Sequence, residues 1–126
     1  MLDVEVVGSA LPEAEVQRLA SLAAASAGVE EGHLAVEFVD AERIAALNAQ
    51  WRGKEGPTDV LSFPVDERGE VPGPAALREL GDVVICPEHT VDLREAVVHG
   101  VLHLTGMDHE IDDGEMLALQ AEILSW

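Results

Sequence analysis

One cysteine, one lysine and no tyrosine occur in the 126 residues, and each scarcity closes off a class of protein. The single thiol, Cys86, cannot form an internal disulfide, so nothing calls for an oxidising compartment. No apolar run approaches the ~20 residues that span a bilayer, and the opening MLDVEVVG lacks the basic start of a secretory signal. A cytoplasmic location without a membrane partner is expected. Aromatic residues make up 3% of the chain, too few for a base-stacking platform of the kind RNA-recognition and OB folds use. Positive charge is also scarce: 7 basic against 25 acidic side chains give a formal net charge of −18. Phosphate neutralisation supplies most non-specific affinity for nucleic acid, so this chain repels polyanions at long range and DNA is not an expected partner. Any RNA it handles must be held by a local positive site, by a cation, or with a partner's help.

What is present reads as a single globular domain over residues 1–126, with 48% hydrophobic residues and length enough to bury a core. Leu2, Val4 and Val6 alternate with Asp3 and Glu5, the pattern of a strand with one buried face. From Pro12 to Ala27, Val16, Leu19, Ala20 and Ala23 follow helical spacing, with Gly28 as the stop. A second strand is expected over His33–Val39, with Leu34, Val36 and Phe38 on one face. Asp40 can cap a helix that runs to about Gln50 and buries Ile44 and Leu47. A short strand centres on Val60–Phe63, residues 67–79 read as a loop, and LGDVVICP at 80–87 reads as a buried central strand. Asp92 and Glu95 form a capping-box-like start to a helix ending at Thr105–Gly106. A last helix over Asp113–Leu124 would bury Met116, Leu119 and Ile123. The order β-α-β-α-β-β-α-α implies an α+β fold: a small mixed sheet of about four strands with helices packed on it.

Three of the five histidines fall within the segment HGVLHLTGMDHE at residues 99–110. His99 and His103 stand one helical turn apart on one face, and Gly106 permits the reversal that brings His109 back as a third ligand. Three neutral imidazoles with an open fourth position make a catalytic zinc site, here at the end of the penultimate helix, where bound water becomes acidic. A lone histidine on an apolar face is usually a satisfied core residue, and His33 and His89, lacking partners in sequence, are assigned that way. The spacing also fits the metzincin peptidase pattern H-E-x-x-H-x-x-G-x-x-H, except that Gly100 stands where the glutamate base belongs.

The segment matches H-G-x-L-H-L-x-G-x-D-H through His99, Gly100, Leu102, His103, Leu104, Gly106, Asp108 and His109. Upstream, Leu47, Asn48, Trp51 and Arg52 are followed by PTDVLSFP at 57–64 and LGDVVI at 80–85. In these features the chain resembles the YbeY family of ribosomal-RNA maturation factors, single-strand-specific, metal-dependent endoribonucleases. The match runs from about Leu47 to Leu124, while the first 40 residues share only the strand-helix-strand layout.

The resemblance implies one zinc ion per chain held by His99, His103 and His109, with Arg52 and His103 as catalytic residues and Arg52 facing the metal across a cleft. A guanidinium and a divalent cation together can clamp the charge that builds on a phosphodiester's oxygens. The implied role is endonucleolytic processing of small-subunit ribosomal RNA at its 3′ end, and ribosome quality control. The implied partners are single-stranded ribosomal RNA, the small subunit with its proteins, and the GTPase Era.

Asp59, Asp82 and Asp108 could each orient a ligand imidazole or satisfy loop backbone N–H groups. Thr58 and Ser62 lack a histidine nearby in sequence to act as base, Lys54 is expected to face solvent, and Cys86 is expected to be an inert core thiol. Residues 87–98, between LGDVVI and the HG motif, are fewer than the family's usual helical segment there. Two other readings remain open: a peptidase without the usual glutamate, and a non-catalytic assembly factor whose acidic charge suits basic ribosomal proteins.

Overall fold

Two strands with buried apolar residues organise the molecule. In the computed structural model, which describes residues 2–64, 79–105 and 115–125, they sit at the centre of a four-stranded sheet. The elements in chain order are β1 (Leu2–Val7), α1 (Glu13–Ser26), β2 (Gly32–Phe38), α2 (Ala41–Arg52), β3 (Val60–Pro64), β4 (Glu79–Ile85), α3 (Leu93–Leu104) and α4 (Glu115–Leu124). The strand order is β1-β2-β4-β3, with β1, β2 and β4 parallel and β3 antiparallel to β4. This is the mixed α+β sheet expected from the sequence. Among the described residues no helix is long and apolar enough to cross a membrane.

The apolar run of β4 is central because both faces need cover. Val83 and Ile85 pack with α1, α3 and α4, whereas Val84 packs with Ile44 and Leu47 of α2 and Leu61 of β3. Ala35 of β2 is likewise buried between Leu34 and Val36, so this strand is covered beyond the single face expected for it. After Ile85 the chain leaves the sheet earlier than the apolar run suggests: Pro87 opens a 3-10 turn over Pro87–His89. Proline has no N–H to extend a ladder. Buried Cys86 accepts hydrogen bonds at its carbonyl from His89 N and Thr90 Oγ1.

Helix α3 is the main buttress. Asp92 caps it by accepting from Arg94 N and Glu95 N at 3.0 and 3.2 Å. Ala96, Val97, Val98, Gly100, Val101, Leu102 and Leu104 are buried, each large side chain contributing about 1.5–3 kcal/mol. His99 and His103 are the half-buried polar exceptions in that stretch. Helix α4 closes the same layer through buried Ile123 and half-buried Leu119, while the side chain of Met116 lies outside the described residues.

Part of the opposite face carries acidic side chains. His33 has Asp3 and Glu79 as its register neighbours on β1 and β4, hydrogen-bonds through Nδ1 to Glu79, and lies 4.0 Å from Glu5. His33, assigned above to an ordinary structural role, therefore has partners that no sequence window contains. The hydrogen bond to Glu79, then the charges of Glu79, Asp3 and Glu5, hold its pKa above the ordinary imidazole value. Burial first, and then Glu79 and Glu5, raise Asp82, with His33 opposing. Both groups bind their protons more tightly in the folded chain, so the stability they contribute is lost as pH rises. For His33 the loss starts above 6.5 and continues through its raised folded value. The melting temperature is expected to fall between about pH 6 and about pH 8, and His33→Gln to flatten that slope. An unchanged slope in the variant would unlink the imidazole from stability.

Candidate metal centre

Because α3 is apolar on most of its surface, its two histidines are left on the side that meets α4. Their Nε2 atoms are 3.1 Å apart and their ring planes are inclined at 71°. From behind, the side-chain oxygen of Gln120, on α4, stands 2.8 Å from His99 Nδ1. Gln120 is only 8% exposed, and the sequence offered no motif pointing to it, since it lies 21 residues from its partner.

The donor set fits a divalent cation. Two imidazole nitrogens 3.1 Å apart would be close enough to hold one such ion between them. An oxygen acceptor on Nδ1 leaves the lone pair of His99 on Nε2, as a metal-binding imidazole requires. The third expected ligand, His109, lies outside the described residues together with Gly106 and Asp108. Among the described residues, no three His, Cys, Asp or Glu side chains converge on one point.

Gly100, between the two histidines, faces the sheet. A methyl group there would overlap the isopropyl group of Val83 on β4. The position that holds a glutamate base in metzincins therefore has no room for a side chain here, which gives a physical reason for the departure from that pattern. The Gly100 carbonyl accepts a hydrogen bond from Ser62 Oγ at 3.1 Å, tying α3 to β3. That bond gives Ser62 a structural partner.

Arg52 ends α2, exposed, just before Gly53, which takes the left-handed conformation at φ 65°. Helices α2 and α3 cover opposite faces of the sheet, and among the described residues β3 is its edge strand. Trp51 meets Phe63 of β3 edge-on at 6.2 Å, and Ser62 beside it bonds to α3, so β3 links the two helices. Asn48, 5% exposed, donates from Nδ2 to the Gly56 carbonyl at 3.0 Å and so fixes the loop after Arg52. Lys54 is exposed in that loop. Asp59 accepts from Val60 N and Thr58 Oγ1, the loop role foreseen as one alternative. Asp82 precedes Val83 on β4 and so projects to the face opposite α3, beside His33 and Glu79 rather than the paired histidines.

Comparison with known proteins covers nearly the whole chain. The family model for endoribonuclease YbeY matches residues 6–126, reaching further toward the N-terminus than the motifs alone. The endoribonuclease YbeY of Salinispora tropica is 42% identical, over 90% of this chain and 90% of its own. That of Streptomyces coelicolor is 45% identical over 72% and 67%, and that of Bacillus cytotoxicus 40% over 86% and 82%. The Salinispora alignment runs over 141 positions against 126 residues here, so that relative carries residues this chain lacks. The solution structure of TM1509 from Thermotoga maritima is similar with a TM-score of 0.56 at 26% identity, over 99% of this chain and 87% of that one. The chain belongs to the endoribonuclease YbeY family.

Proposed function

We propose that this protein is a zinc-dependent endoribonuclease that cuts single-stranded ribosomal RNA, acting in maturation of the small-subunit RNA 3′ end and in ribosome quality control. The observation that carries the reading is the convergence of His99 and His103 Nε2 at 3.1 Å in a chain matching the endoribonuclease family over residues 6–126. His99 and His103, with His109 as third ligand, hold the ion. Zinc bound there supplies Lewis acidity and acidifies water. Arg52, at the mouth of the loop pinned by Asn48, binds and neutralises the phosphodiester's non-bridging oxygens. Two of the chain's other arginines are already committed, since Arg18 and Arg94 both pair with Glu15 at 2.8 and 3.1 Å. The net charge of −18 makes binding depend on this local site, or on partners such as small-subunit proteins and the GTPase Era.

The test is cleavage of a single-stranded RNA by the purified chain with its zinc quantified. Wild type is expected to cut and a chelator to abolish cutting. Arg52→Ala should lose about 10²–10³-fold in rate with zinc and folding intact, the effect of removing one donor to a developing charge. Cleavage unaffected by Arg52→Ala removes that residue from the mechanism. Zinc bound without any cleavage favours the assembly-factor reading, in which the acidic surface meets basic ribosomal proteins.

A further inference from the structure

We propose that Gln120 is a positioning residue that selects the metal-binding tautomer of His99. The inference rests on the metal reading above and concerns what prepares the site before any ion arrives. A glutamine side chain can present either its oxygen or its NH2 group to an imidazole, with opposite consequences. The oxygen requires a proton on Nδ1 and leaves Nε2 as a lone-pair donor. The NH2 group would require the lone pair on Nδ1, placing the proton on Nε2, where it would block a cation. In this structure the oxygen faces Nδ1, at 2.8 Å.

The neighbouring geometry agrees with that assignment. His99 and His103 approach at 3.1 Å through their Nε2 atoms, and a lone pair on His99 Nε2, the consequence of Nδ1–H, is compatible with that approach.

Burial enforces the arrangement. Gln120 and Asn48 are the two buried polar residues among those described, and a buried amide is costly unless bonded. Gln120 meets that requirement through His99. It is carried by α4, which Ile123 anchors in the core shared with α1 and α3, so α4 docking and metal affinity are coupled.

The test uses the full metal-free chain labelled with 15N, in which long-range proton–nitrogen spectra report the tautomer of His99. Zinc affinity is measured in parallel by competition with a chromogenic chelator. Wild type is expected to show His99 as Nδ1–H. Gln120→Leu, which keeps bulk but removes the acceptor, should lose that preference and weaken zinc binding about 10–100-fold. Gln120→Glu, which retains an acceptor oxygen, should restore both. His99 found as Nε2–H in wild type overturns the proposal, and so does a Leu variant with unchanged tautomer and affinity. If wild type shows Nδ1–H, lost in the Leu variant, but binds no zinc, the metal reading falls while the tautomer selection by Gln120 stands.

Discussion

Gly100→Glu, the substitution that completes the metzincin pattern, is expected to prevent folding rather than to create a peptidase. The position lies against Val83 at the centre of the core, so a glutamate would bury an unpaired carboxylate where even a methyl group overlaps its neighbour. The graded test is Gly100→Ala. Alanine gains about 1 kcal/mol over glycine in a helix interior, but overpacking costs about 1–3 kcal/mol and here involves a fully buried neighbour. A lower melting temperature by circular dichroism is therefore expected, with partial recovery in Gly100→Ala/Val83→Ala because the second change frees the occupied space. An alanine variant as stable as wild type would mean that Val83 yields freely and that glycine is there for another reason.

His103→Ala is expected to cause the largest loss of activity with little loss of fold. The imidazole is half-buried rather than part of the apolar core, so its removal leaves Leu102 and Leu104 packed as before. If His103 is a ligand as proposed, its loss would remove the cation, and with it several kcal/mol of charge stabilisation, which corresponds to about 10³-fold or more in rate. Zinc content, cleavage of single-stranded RNA and the circular dichroism spectrum check this together. A His103→Ala chain that keeps its zinc and still cuts would show that the ion is held elsewhere.

Features whose cause lies within one turn or one strand were legible in the sequence. The alternation of Leu2, Val4 and Val6, the caps Asp40 and Asp92, and the H-x3-H spacing each act over a few residues, and each has its expected structural counterpart. The central place of β4 was legible too, because an unbroken apolar run needs cover on both faces. What escaped depends on pairings across the chain. His33 finds Glu79 at a separation of 46 residues and His99 finds Gln120 at 21, and no local pattern marks either. Asp82 was a candidate partner for a ligand histidine until the strand's two-residue period placed it on the far side of the sheet. The reason for Gly100 likewise lies on another element, in Val83.

The strand order also governs how the chain can fold. Strands β1 and β2 are joined through α1 and can pair early, forming a parallel β-α-β unit from the first 38 residues. Strand β2 finds its other neighbour only in β4, after α2 and β3 have been made. Until Ile85 emerges during synthesis, the inner edge of β2 has no partner and Leu34, Val36 and Ala35 lack most of their cover. Closing that long loop is expected to be the entropically costly step, and both β3 and α3 need β4 for a surface to pack on.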